Sequence, residues 1–209
     1  MSAVMSQRRR LGVLLGLNVL LIVALAIVGS VSHSLGVLAA VGDYAADSAA
    51  VLLGIVAVTV RDRVGQHSRA PTVVALINGV ALLVVTVLVQ VEAVRRLVTG
   101  TPEIYGLPVL IVGVIATVVM VLGALVLGRD AGREDLHMRS VLLDTVADAL
   151  TSAAVAVTGA VIFLTDGLYW LDAVVAILIG AMVGVGALRL LRDVVRTLRA
   201  GTAVDLDDG

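Results

Sequence analysis

Long apolar runs succeed one another along the chain at 11–28, 35–60, 72–94, 107–127, 140–164 and 169–190. Each is close to the roughly 20 residues that a helix needs to cross a hydrocarbon layer of ~30 Å. Lipid offers no hydrogen-bond partner to an open backbone, so runs of this length predict helices, and they are too long for barrel strands. Hydrophobic residues make up 60% of the 209 and charged residues only 15%. Soluble domains hold about 45–50% and about 25%. One globular core could not bury this much apolar surface, and a soluble enzyme or nucleic-acid-binding domain is excluded. The fold class expected is an all-α membrane protein of six transmembrane helices.

The breaks between runs have local causes. Gly29 to Ser34 reads as a short polar hinge. Arg61 to Pro71 is charged and places a proline at the start of the third helix, where its missing N–H costs nothing. Gly100, Pro102, Gly106 and Pro108 interrupt the chain before the fourth span, and Arg129 to Arg139 forms a charged loop. Thr165, Asp166 and Gly167 predict a tight turn.

The 15 cationic residues are all arginine. With a cytoplasmic N-terminus and six spans, only Arg95 and Arg96 fall on the outer side. The positive-inside rule therefore puts both termini in the cytoplasm. Arg8, Arg9 and Arg10 read as a topological anchor before an uncleaved first helix, since no A-x-A cleavage site follows. The organisation expected is a basic N-terminus (1–10), a transmembrane domain (11–190) and a short Arg-rich tail (191–209). Arg189, Arg192, Arg196 and Arg199 share one face of a helix leaving the membrane. With no cysteine, disulfides and thiolate metal ligation are both excluded.

Asp43 and Asp47 lie inside the second span, and Asp144 and Asp148 inside the fifth. A membrane-centre Asp costs about 2.5–3.5 kcal/mol on the insertion scale. Four unpartnered ones would cost on the order of 10 kcal/mol, comparable to a domain's whole stability. They must therefore face the bundle interior or a wet cavity. Each pair is spaced i, i+4, which places both carboxylates on one helix face about 6 Å apart. The local sequences match as well, Asp-Tyr-Ala-Ala-Asp against Asp-Thr-Val-Ala-Asp. Antiparallel helices carrying one signature form a two-sided site, as inverted elements do in transporters. Apposed carboxylates repel and retain protons. A divalent cation relieves the repulsion and displaces those protons, which is the physical basis of metal/proton exchange. The cluster titrates as a unit. Arg189, at the cytoplasmic end of the sixth run, is the one arginine inside these bounds, and none lies at mid-span to pair with these Asp. Small residues such as Gly36, Ala39, Ala40, Ala45 and Ala46 in the second helix, and Ala147, Ala149, Ser152 and Ala153 in the fifth, suit close helix approach.

Two other readings compete. An intramembrane aspartyl protease would carry Gly-x-Gly-Asp, but the sequence here is Ala40-Val41-Gly42-Asp43. A non-transporting scaffold subunit would keep any metal-tolerance phenotype intact in Asp47→Ala.

With these motifs in place the chain resembles the cation diffusion facilitator family. The stretch from Ser34 to Asp47 looks like that family's second helix, Leu136 to Leu150 its fifth, Ala75 to Gly79 with Glu92 to Leu97 its third, and Leu171, Asp172 and Ala187 to Arg192 its sixth. The resemblance implies export of Zn²⁺, Mn²⁺, Fe²⁺, Co²⁺ or Cd²⁺ by proton antiport across the cytoplasmic membrane. It also implies a homodimer, no prosthetic group, no enzymatic reaction and a transport site of Asp43, Asp47, Asp144 and Asp148. Two departures bear on that expectation. Zinc-type members carry at least one His in the tetrad, whereas this site is all oxygen, which favours the harder Mn²⁺ or Fe²⁺. Zn²⁺ stays among the candidate cargoes. The family's cytoplasmic domain has no counterpart after the sixth span, so any dimer would form through the helices or the tail.

Other polar residues have milder readings. His137 is a candidate relay at the cytoplasmic mouth, His33 at the exit, and His67 in the second loop. Asn18 and Asn78 are expected to hydrogen-bond between helices. Asp172 is expected to serve the N-terminus of the sixth helix, with Tyr169 and Trp170 as interfacial anchors. Glu92, Arg95 and Arg96 read as a helix-end charge cluster.

Overall fold

A computed structural model describes residues 2–64, 70–131 and 136–204, with only the backbone course given at several helix ends and at Asp144. Among the described residues there are six helices: α1 (Ser2–Ser32), α2 (Leu35–Val64), α3 (Ala70–Thr99), α4 (Gly106–Ala131), α5 (Leu136–Thr165) and α6 (Trp170–Val204). Each predicted span lies on one helix. The helices overrun the spans because backbone hydrogen bonding continues past the first charged residue, whereas an apolar run stops there. Ala75–Thr99, Gly106–Leu125, Thr145–Thr165 and Trp170–Arg196 are each long and apolar enough to cross a membrane, and Asn18–Ser32 is a shorter apolar helix.

The helix ends differ in detail from the sequence expectation. Gly29 and Ser30 remain helical, and the break falls at His33, with φ +59°. The turn after α5 places Asp166 and Leu168 in the left-handed region (φ +46° and +56°), while Gly167 is not left-handed. For a leucine this conformation costs about 1–2 kcal/mol. Gly100 ends α3 at φ +107°, its N–H bonding the Arg96 carbonyl at 3.0 Å, an ordinary glycine stop. Pro71 and Pro108 sit in the first turns of α3 and α4, where a proline breaks no helical bond.

Burial is inverted relative to a water-soluble bundle. Leu20, Ile27, Ile77, Leu88, Leu125, Leu150 and Leu178 are exposed, while Ala40, Ala116, Ala176, Ser34, Ser48, Thr151, Ser152 and Asp172 are buried. Large apolar groups face the lipid, and small or polar ones line the helix contacts. The most extensive contacts join α4 to α5 and α3 to α6, while α2 touches α1, α3, α5 and α6. The α4–α5 seam is close because it is built on glycine. A Cβ at Gly113 would meet the Ala156 backbone nitrogen at 2.7 Å, and one at Gly106 would meet that of Phe163 at 2.5 Å. At these points the obstacle is backbone, which cannot rotate away.

Gly113→Ala is therefore expected to destabilise the bundle by about 1–3 kcal/mol, the usual cost of overpacking. Thermal unfolding of the purified protein in detergent checks this. Gly186→Ala, at a position with nothing within 4 Å of the added carbon, serves as the neutral control.

Candidate metal centre

The carboxylates of the second and fifth spans fall on α2 and α5, which pack against each other inside the bundle. Asp148 is buried at 8% exposure, and Asp43 and Asp47 are half-buried. The side chain of Asp144 is outside the described set, and its backbone lies one turn before Asp148 on α5.

Two neighbouring residues of α2 reach two neighbouring residues of α5. The Thr151 hydroxyl hydrogen-bonds the Asp43 carboxylate. The Tyr44 hydroxyl bonds Ser152 Oγ and lies 3.5 Å from the Asp148 carbonyl oxygen. Ser152 Oγ in turn donates to that carbonyl at 2.8 Å. Tyr44, Thr151 and Ser152 are all buried. A buried hydroxyl without a partner is costly, so these pairings fix the register of the two helices.

That register has a consequence for the acids. Counting along antiparallel helices from these contacts brings Asp47 level with Asp148 to within about one residue, or ~1.5 Å of rise. Asp43 lies about one turn away toward the N-terminus of α2, and the Asp144 backbone about one turn away on the opposite side. Among the described residues no three His, Asp or Glu side chains are gathered closely enough to hold one ion together.

A third helix supports the site from behind. Asn18 of α1 donates from Nδ2 to Ser48 Oγ at 2.9 Å and to the Tyr44 carbonyl at 3.4 Å. This is the interhelical bond expected of it. Its Oδ1 is buried with no partner among the described residues.

The other expected polar residues lie elsewhere. His33 is exposed at the α1–α2 corner beside Tyr105, their ring centroids 6.4 Å apart, and is ten residues, roughly 15 Å of helix rise, from Asp43. The side chain of His137 and all of His67 fall outside the described residues. Glu92 bonds Arg95 and Arg96 at 3.3 and 3.2 Å, the expected cluster, and Arg96 also donates to the His33 carbonyl at 2.6 Å.

Asp172 does more than the sequence suggested. It opens α6 but points at the start of α2. Its carboxylate accepts from Ser34 Oγ at 2.5 Å, Leu35 N at 2.6 Å and Gly36 N at 3.2 Å. Ser34 Oγ meanwhile accepts from Val37 N at 3.1 Å. The orphan N–H groups of α2 are thus capped by a residue from another helix. Gly36 permits the approach, since a Cβ there would lie 2.9 Å from Asp172 Oδ1. Sequence inspection misses this because the partners are 136 to 138 positions apart. The Tyr44–Ser152 bridge escapes it for the same reason, although Thr151 and Ser152 stand on the Asp148 face one turn on.

Fold and site together define a multi-pass helical membrane protein that keeps ionisable groups inside its bundle. Residues 11–199 match the cation efflux transmembrane domain, and the chain belongs to that family. It is 28% identical to the zinc transporter ZitB of Yersinia pseudotuberculosis over 99% of this chain and 68% of the relative. It is 32% identical to ZitB of Escherichia coli K12 over 86% of this chain and 58% of the relative. It is 26% identical to a cadmium, cobalt and zinc/H(+)-K(+) antiporter of Bacillus subtilis over 87% of this chain and 60% of the relative. The chain thus spans about three fifths to two thirds of the length of these relatives.

Truncating Asp172 to Ala would leave three buried donors without an acceptor. The expected loss is on the order of 3 kcal/mol, since each unsatisfied group costs about 1–3 kcal/mol and relaxation recovers part. Asp172→Asn, which keeps one acceptor oxygen, should lose less. Denaturation in mixed micelles gives both values.

Proposed function

We propose that this protein exports a divalent transition metal ion from the cytoplasm in exchange for protons, using Asp43, Asp47, Asp144 and Asp148 as its intramembrane site. The observation that carries the reading is the burial of Asp148 opposite Asp47 at the α2–α5 contact of a cation efflux bundle. Acids held in that position repel one another until protons or a cation neutralise them. Metal and proton then compete for one set of oxygens, and exchange follows when the site opens to each side in turn. The zinc transporters and the cadmium, cobalt and zinc/H(+)-K(+) antiporter that this chain resembles support a divalent cargo. The all-oxygen donor set favours Mn²⁺ or Fe²⁺ more than a His-containing site would, with Zn²⁺, Co²⁺ and Cd²⁺ as further cargoes. The arginine distribution places both termini in the cytoplasm. The active unit is proposed to be a homodimer in the cytoplasmic membrane, joined through transmembrane helices.

The site is tested in proteoliposomes loaded with a metal-sensitive dye. Flux should require an opposing proton gradient and should be abolished in Asp47→Ala and Asp148→Ala. Asp43→Asn and Asp144→Asn, each a turn from the central pair, should retain more. Wild-type flux in either central variant would rule the site out.

Equilibrium binding gives a second check. Metal affinity of the purified protein should fall steadily as pH is lowered, because each proton retained by the cluster is one the metal must displace. Affinity independent of pH between 6 and 8, by about the precision of the titration, would exclude exchange of the two at one site.

A further inference from the structure

The chain contains three tyrosines. Tyr105 and Tyr169 lie next to the helix starts, where amphipathic rings belong at a membrane surface. Tyr44 is different. It is 1% exposed, in the middle of the bundle, between the two acids of α2. Phenylalanine would fill the same space without a hydroxyl needing a partner, so the hydroxyl calls for an explanation of its own.

Each of the two hydroxyls, Tyr44 and Ser152, has one proton to give. Both reach the Asp148 carbonyl, Ser152 Oγ at 2.8 Å and the Tyr44 hydroxyl at 3.5 Å. Whichever hydroxyl donates in the bond between them, the pair and that carbonyl form one connected cluster. The cluster links Tyr44, Ser152 and the backbone of Asp148. It begins on the residue that follows Asp43 and ends on the residue that carries a site carboxylate. Asp43, Asp47 and Asp148 all lie within electrostatic range of the phenol, yet the hydroxyl pairs with Ser152.

The surroundings leave this bridge with mechanical weight. The contact between α2 and α5 is slight compared with the α4–α5 and α3–α6 seams. Two of the polar links that cross the interface at the site are Thr151 to Asp43 and Tyr44 to Ser152. The first involves a site carboxylate, so it competes with an ion for that carboxylate's oxygens. The second involves none.

We propose that Tyr44 is a positioning residue for the metal centre, its hydroxyl holding α2 to the Ser152–Asp148 turn of α5 and so setting the separation of the two carboxylate pairs and the ion they grip. This assignment rests on the transport reading above.

The test measures Mn²⁺ and Zn²⁺ binding and transport by the full chain carrying Tyr44→Phe, Ser152→Ala or both. Loss of one neutral hydrogen bond, about 1 kcal/mol, corresponds to roughly a fivefold change in an equilibrium constant. Each single variant should weaken binding about fivefold, with the larger part of the transport defect in KM and a changed Mn²⁺ to Zn²⁺ preference. The double variant should be little worse than either single one, because both break the same link. A purely structural tyrosine would lower the melting temperature and the yield of folded protein but leave the Kd and the metal preference of the folded fraction untouched. Ser152→Ala removes only an oxygen, so it reports on the link even if Tyr44→Phe folds poorly. Wild-type affinity and preference in the single variants, or additive losses in the double variant, would overturn the assignment. Wild-type protein that neither binds nor carries either metal would overturn the transport reading, and this one with it.

Discussion

A polar group inside a bilayer has no water to turn to, and the arrangement of this bundle follows from how each one is satisfied within the protein. Ser30, Ser32, Thr99, Thr117, Ser152, Thr158 and Thr165 return their hydroxyl protons to the carbonyl one turn earlier. Such bonds are local and ask nothing of neighbouring helices. The remaining polar groups must find partners across helix boundaries, and each one that does so fixes a relation between two elements. Asn18 ties α1 to α2, Gln90 ties α3 to the Ile177 carbonyl of α6 at 2.9 Å, and Asp172 ties α6 to α2. Apolar side chains cannot supply this specificity, because they are equally at home against lipid.

Much of this was legible in the sequence, and the boundary of legibility is physical. The six spans follow from length and hydropathy, which are local. The paired acids follow from i, i+4 spacing on a helix, and their need for an interior position follows from the insertion cost of charge. The register of α2 on α5 does not follow, because it depends on which hydroxyl meets which carboxylate across more than a hundred residues. Asp172 shows the difference well. Its place at the start of α6 suggests a local cap, and only the fold shows that the N–H groups it satisfies belong chiefly to α2. The hinge after α1 is a smaller instance. Gly29 and Ser30 read as breakers, but helical bonding carries through them to Ser32, and the left-handed His33 makes the corner instead.

The glycines of the α4–α5 seam complement the polar links. Where two backbones touch, dispersion contacts are dense and a side chain has no room to adjust. The α4–α5 pair is therefore a firm wall, while the α2–α5 contact beside it is thin and polar. Transport sites of alternating-access proteins lie between elements that shift relative to one another. A thin polar contact next to a firm seam is an arrangement in which one helix can move without disturbing the other's support.

The cap on α2 has a geometric consequence. With Ser34, Leu35 and Gly36 bound to Asp172, the start of α2 is an anchored fulcrum and the rest of the helix a lever arm. Asp43 lies seven residues beyond Gly36 and Asp47 eleven, arms of roughly 10 and 16 Å at 1.5 Å per residue. Any swing about that anchor displaces Asp47 about one and a half times as far as Asp43. The inner acid, level with Asp148, is the one whose distance from α5 responds most to a small tilt, while the outer one stays near its place.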